Sequence, residues 1–218
     1  MSRFALRLHV DSIAPKAAAA LPACHRVLYV RAGDAIVRAG AQAAGLAADS
    51  AWQGRDAAKV TAGTAGATLL RWELVPAGAA ADGKPLLAEE ITLDSAGGQL
   101  MRCDRVDFPL GGIAYTHVHR GPGIRCLLTG GIRVETNGRA HDIAPGEAWF
   151  EAGPDPVLAL ASKEKLTAFV RVMILPLELL GKSSIRYVRP EDADKPKLQT
   201  YRLFADEPLA LDPGPGAR

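Results

Sequence analysis

His117 and His119 stand two residues apart in "GGIAYTHVHRGPGIRCLLTGG", Gly111 to Gly131. Alternate side chains of a β-strand share a face, so two imidazoles at this spacing can chelate one divalent metal ion. The same spacing fits two polar residues on a solvated strand face, and the pair by itself leaves both readings open. Tyr115 falls on the same face, where it either hydrogen-bonds a ligand or fills the interior. Arg125 offers a planar fork suited to gripping an anionic substrate, or to pairing with an acid such as Glu151. Two histidines alone hold a metal weakly, so a third ligand is needed if the site is a metal site. Glu147, Glu151, Asp155 and His141 are the groups near enough in sequence to provide one. Each carboxylate also reads as a solvated loop charge. His141, after Asn137-Gly138, belongs on an outer strand, and Cys126 reads as a small packing group.

These residues sit in the second copy of an internal repeat. Val27 to Gly54 aligns without a gap over Ile124 to Glu151, matching Gly33 with Gly130, Val37 with Val134 and Trp52 with Trp149. The chain has only three tryptophans, so that last match carries weight. After a three-residue insertion in the second copy, "ATLLRWELVP" aligns with "TAFVRVMILP", matching Arg71 with Arg171 and Pro76 with Pro176. Each copy reads as short strands separated by Gly and Pro turns, with Asn137-Gly138 a strong hairpin signal. The chain is therefore expected to be all-β, with a sandwich or barrel in each half. The expected division is residues 1–80, a linker near Pro76 to Pro85, residues 85–180, and a C-terminal extension over 181–218.

Composition excludes several classes of function. The 218 residues are 48% hydrophobic and 23% charged, an ordinary globular composition. A net charge of +2 without a basic run argues against nucleic acid. The most apolar stretch, Leu166 to Leu180, is interrupted by Arg171, Pro176 and Glu178 and is too short to span a bilayer, so no membrane association is expected. Three cysteines, Cys24, Cys103 and Cys126, without a CxxC spacing fit a reducing cytoplasm. The N-terminus lacks the apolar core of a signal peptide. No Ser-His-Asp elbow and no GxGxxG with a following acid is present, so hydrolase and dinucleotide readings have no sequence support.

The run around His117 resembles the first motif of the cupin family, with Gly111, His117, His119 and Gly130 at matching positions. "DIAPGEAWFEAGPDPV" is similar to the second motif, with Gly153 in its glycine position. The repeat extends the resemblance to residues 24–76, which implies two double-stranded β-helix (jelly-roll) barrels in tandem, a bicupin. Two of the family's four ligand positions are changed, since its Glu falls on Gly123 and its second-motif His on Pro156. In the first copy the histidine positions are Ala20 and Pro22, which makes that half a degenerate partner without a metal site. The resemblance implies one divalent ion (Fe, Mn, Ni or Zn) on His117 and His119. It also implies a small, anionic ligand held by Arg125, Tyr115 and Glu151, and a homodimer. The function it implies is that of a metal-dependent enzyme, with dioxygenase chemistry on a small organic acid or carbonyl compound. A non-catalytic binding or sensing cupin is the competing reading.

Overall fold

The computed structural model describes residues 1–94 and 97–211. The chain divides into two compact units, Met1–Asp94 and Ser95–Arg218.

The first unit runs β1 (Ser2–Ile13), β2 (Ala18–Leu21), β3 (His25–Ala39), β4 (Gln42–Ala47), β5 (Ala51–Gly54), β6 (Ala58–Pro76) and β7 (Leu87–Leu93). They form one sheet in the order β4-β3-β6-β1-β7, with β2 added to β6 and β5 to β3. The long strands β3 and β6 pair along both of their halves, and the register shifts where β3 passes Gly33. Both chains bend there, and Gly33 has φ +77°. A Cβ on Gly33 would stand 2.0 Å from the Gly66 carbonyl oxygen, so the close approach of the two backbones admits only glycine. Leu28, Val30, Val37, Val60 and Leu69 fill the core that the bend encloses.

The second unit runs β8 (Gln99–Phe108), β9 (Ile113–His119), β10 (Gly123–Thr129), β11 (Ile132–Thr136), β12 (Arg139–Ile143), β13 (Ala148–Glu151), β14 (Val157–Ala161) and β15 (Thr167–Pro176). It ends with β16 (Ile185–Tyr187), the single turn α1 (Pro190–Ala193) and β17 (Thr200–Leu209). Here the sheets are separate, β13-β10-β15-β8-β17 and β12-β11-β14-β9-β16. Side chains from both meet in a core that includes Phe108, Leu127, Val134, Trp149, Val157 and Phe169. Trp149 packs edge-on against Phe169 with ring centroids 5.2 Å apart. Asn137 (φ 51°) and Gly138 (φ 71°) make the two-residue turn between β11 and β12 that their sequence predicts.

All described strand pairings are antiparallel, and the second unit has the all-β jelly-roll architecture expected. The sequence alignment of the halves reappears as hydrogen-bond register. Leu28 lies opposite Arg71 and Trp52, as Arg125 lies opposite Arg171 and Trp149. The expected boundaries shift in two places. Leu87–Leu93 extends the first unit's sheet by pairing with β1, so residues 85–94 do not begin the second half. Residues 181–218 are no appendage either, because β16 and β17 complete the second unit's two sheets. Among the described residues, no helix is long and apolar enough to cross a membrane.

Gly33→Ala combines positive-φ strain with a backbone clash, and should cost about 3 kcal/mol or more in urea unfolding. Gly40→Ala, where φ is +56° but nothing lies within 4 Å of the new methyl, should cost only about 1 kcal/mol. Equal costs at the two positions would show that the bend tolerates a side chain.

Candidate functional site

A β-bulge on β9 sets the orientation of the histidines. Val157 pairs with His117 and Ala159 with Ala114, so two residues on β14 span three on β9. The extra residue breaks the simple alternation. Ala114, His117 and His119 point into the barrel, whereas Tyr115 does not share their cavity and instead lies under Lys195, with Nζ 4.7 Å from its ring centroid. The expectation that Tyr115 faces the site is thus corrected by the bulge.

His117 and His119 are both buried, with their Nε2 atoms 3.3 Å apart and their rings perpendicular. His117 Nδ1 lies 2.7 Å from the Tyr115 carbonyl oxygen. Burial holds both imidazoles below the usual histidine range. For His119 the neighbouring Arg171 and Arg125 charges lower it further.

Gly123, where the resemblance places the family's Glu, has no room for a side chain. A Cβ there would stand 2.6 Å from the Val172 carbonyl oxygen and 3.0 Å from Arg125 NH1. Glu151 is Gly123's direct partner across the ladder and brings a carboxylate to the same place from β13. Its Oε1 accepts a hydrogen bond from Trp149 Nε1 at 2.8 Å, and its Oε2 stands 2.7 Å from Arg125 NH2 and 3.5 Å from His119 Nε2. Arg125 is 1% exposed and donates NH1 to the Gly123 carbonyl at 2.6 Å. Burial lowers its pKa to about 10, and Glu151 opposes that shift, so it stays charged at neutral pH. Of the two readings of Arg125, the structure places it in the ion pair with Glu151, outside both cavities described below.

Arg171 occupies the place expected of Arg125. It lies opposite Asp104 on β8, to which Nε and NH2 donate at 2.6 and 3.1 Å. Burial lowers its pKa and the Asp104 carboxylate more than offsets this, leaving it raised. The remaining nitrogen, NH1, stands 3.5 Å from His119 Nε2. A small cavity of about 20 Å³ among His117, His119, Trp149 and Glu151 meets a larger one of about 360 Å³, and both are lined by Arg171, Ile185 and Tyr201. The larger cavity lies between the β8–β15 face and the C-terminal segment. Around it stand four cationic side chains, Arg102, Arg171, Lys182 and Lys197, against two carboxylates, Asp104 and Asp206. Arg102 fastens the segment, donating to both Asp206 oxygens and to the carbonyls of Leu179 and Lys182. Ser184, on the same segment, places Oγ 3.3 Å from His119 Nδ1.

The remaining sequence candidates are structural. Glu147 Oε2 accepts the Ala144 N–H, Asp155 accepts from the Asn137 amide, and His141 is exposed on β12. Cys126 is buried in the sheet, as expected of a packing residue. Sequence reading missed the site roles of Arg171, Asp104 and Ser184. For Arg171 a signal existed, a charge repeated as Arg71 inside an otherwise apolar strand. Arg71 is itself buried, bound to Asp11 at 2.6 Å and Glu73 at 2.7 Å, with Arg26 and His9 beside Glu73.

The 3.3 Å separation of the two Nε2 atoms suits a pair of ligands on one ion, but the surroundings do not suit a divalent cation. The carboxylate beside His119, Glu151, has its two oxygens facing donors, Trp149 and Arg125. The Arg171 guanidinium, with NH1 3.5 Å from His119 Nε2, puts positive charge beside the pair. Among the described residues no group of three or more His, Cys, Asp or Glu is arranged to hold a metal. The residues as arranged therefore do not fit a resident divalent ion.

The lowered histidines make stability pH-dependent. In the unfolded chain His9, His117 and His119 take up protons near pH 6.5, while burial resists this in the fold. The unfolded state then binds more protons, so stability is full above about pH 6.5 and falls as the pH drops below it, by up to about 1.4 kcal/mol per unit for each histidine. Urea unfolding between pH 7.5 and 5.5 checks this, and His117→Gln should flatten the slope. A slope of zero in the wild type would show that the histidines are not held neutral.

No family model matches the chain, and no curated protein matches its sequence. Among solved structures, AerE from Microcystis aeruginosa superposes with a TM-score of 0.60 at 11% identity, covering 78% of this chain and 88% of that one. A glyoxylate-induced protein from Pseudomonas aeruginosa gives 0.56 at 17% identity, covering 78% and 74%. Salicylate 1,2-dioxygenase from Pseudaminobacter salicylatoxidans gives 0.56 at 9% identity, covering 91% and 74%, and a variant of that enzyme was crystallised with gentisate. At such identities the likeness is one of fold alone, a match to the antiparallel jelly-roll architecture of the sheets.

Proposed function

We propose that the chain is a tandem two-barrel cupin whose second half binds a small organic anion in the 360 Å³ cavity, without a resident divalent metal. The observation that carries this is the cavity's excess of cationic side chains around Arg171, whose NH1 is not engaged by Asp104. A buried guanidinium with one nitrogen outside its carboxylate pair favours a carboxylate ligand, which accepts from that nitrogen and offsets the surrounding positive charge. The volume lies at the small end of the range for ligand sites, which suits an organic acid of few carbons or one ring. The structural likeness to salicylate 1,2-dioxygenase, one form of which holds the carboxylate gentisate, is in keeping with this class of ligand. The first half, with Ala20 and Pro22 at the histidine positions, serves as a structural partner.

The histidine pair favours an enzyme over a passive binder. Two buried neutral imidazoles with lone pairs and protons turned toward a cavity are costly as mere packing.

Two measurements test the proposal. Elemental analysis of the purified chain should find no stoichiometric iron, manganese, nickel or zinc, and near-stoichiometric metal that disappears in His117→Ala would overturn the metal-free reading. Isothermal titration at low salt should show binding of succinate and none of succinamide. The double variant Asp104→Asn/Arg171→Met removes both charges, so that neither is left buried alone. It should melt near the wild type and bind succinate at least about tenfold more weakly, about 1.4 kcal/mol. Unchanged affinity in that variant would sink Arg171 as the anion's partner.

A further inference from the structure

The 360 Å³ cavity opens between the last strands of the second unit's two sheets, β16 on one and β17 on the other. Each strand gives it two side chains at alternate positions, Ile185 and Tyr187 from β16, Tyr201 and Leu203 from β17. Arg202, between the last two, stays out of the cavity and stacks on the Phe204 ring, 4.9 Å from its centroid. In the ladders Leu203 is the partner of Asp104 and Ile185 that of His119, so both apolar walls adjoin the polar floor directly. Tyr201 and Leu203 are 48% and 55% exposed. An apolar side chain alone at a surface is ordinary. These two share one cavity with Ile185 and Tyr187, and a ligand with an apolar body would cover all four.

The cations around the cavity differ in what already engages them. Arg102 donates to Asp206 and to the carbonyls of Leu179 and Lys182. Lys197 donates to the Ala193 carbonyl, and its Nζ lies over Tyr187, 4.8 Å from the ring centroid. Lys182 is exposed, where water solvates its ammonium. Arg171, buried on the floor, gives Nε and NH2 to Asp104 and keeps NH1 outside that pair. The buried end therefore offers a place for one carboxylate, and the strand walls above it are aliphatic and aromatic.

We propose that the ligand of this cavity is a monocarboxylic acid with an apolar body the size of a small ring. Its carboxylate accepts from Arg171 NH1, its body lies between β16 and β17, and Tyr201 and Leu203 select for that body. This rests on the anion reading above and adds the polarity of the rest of the molecule. A second carboxylate on the body would lose its water against Leu203 and Ile185 without gaining a partner, whereas each methylene buried there tightens binding about fourfold.

Isothermal titration of the full chain with cyclohexanecarboxylate, succinate and uncharged cyclohexylmethanol tests the proposal. Cyclohexanecarboxylate should bind at least about tenfold more tightly than succinate, and cyclohexylmethanol should show no binding. Leu203→Ser, melting as the wild type does, should weaken cyclohexanecarboxylate at least about fivefold and leave succinate within about twofold, and Leu203→Met should restore the affinity. Succinate binding as tightly as cyclohexanecarboxylate, or a Leu203→Ser affinity for cyclohexanecarboxylate equal to the wild type's, overturns the proposal and leaves the anion reading standing. Binding of neither acid overturns both. Cyclohexylmethanol binding as tightly as the acid also overturns both, because the carboxylate would then contribute nothing.

Discussion

A guanidinium out of contact with solvent needs a carboxylate beside it, and the second unit meets this need three times, with Arg171 on Asp104, Arg125 on Glu151 and Arg102 on Asp206. Each pair joins two strands, β15 to β8, β10 to β13 and β8 to β17, that are already neighbours in one sheet. Losing either member of such a pair strands a buried charge at a cost of about 3–5 kcal/mol, far more than an exposed pair contributes. The pairs therefore constrain register as well as charge. A one-residue slip of β15 against β8 would turn Arg171 away from Asp104 and out of the barrel, taking the site with it.

The two halves share this problem but answer it differently. Arg71 and Arg171 hold equivalent register positions, yet the residue opposite is His9 in one half and Asp104 in the other. The first unit recovers the missing carboxylate from Asp11 and Glu73, and Arg26 joins the same acid. Glu73 is held below the usual carboxylate range, with its burial penalty more than offset by Arg71 and Arg26. Four charges are thus spent on one another, and Leu28 stands where the second unit has Arg125. In the second unit Asp104 binds only two of Arg171's nitrogens, and the third is left at the histidines.

What could be read from the sequence follows from range. The repeat, the all-β class, the Asn137-Gly138 turn and the inward His117 and His119 depend on local pattern, and local pattern is what a sequence displays. Tyr115 was misplaced because a β-bulge shifts alternation by one residue, and nothing in "IAYTHVH" marks where the extra residue falls. Asp104 and Ser184 were invisible for a different reason. Asp104 stands on the strand just before the histidines but meets the site through Arg171, by the pairing of β8 with β15, and Ser184 lies 65 residues beyond His119 and reaches it through the pairing of β16 with β9. Glu151 was legible as a nearby acid, but its place directly across the ladder from Gly123 emerges only from the register.

That placement also decides what the His-x-His spacing means here. A carboxylate on Gly123's own strand would rise beside the histidines with its oxygens free to bind an ion. Brought instead from β13, the carboxylate meets Arg125, whose NH1 crowds the place of a Gly123 side chain together with the Val172 carbonyl and Met173. A larger residue at 123 would meet the Val172 carbonyl first and crowd the guanidinium as well. With Arg125 in place on one side and Arg171 on the other, the two imidazoles look onto positive charge. Such a centre favours a bound anion over a bound cation, since an anion's charge offsets the two guanidiniums while the rings stay neutral.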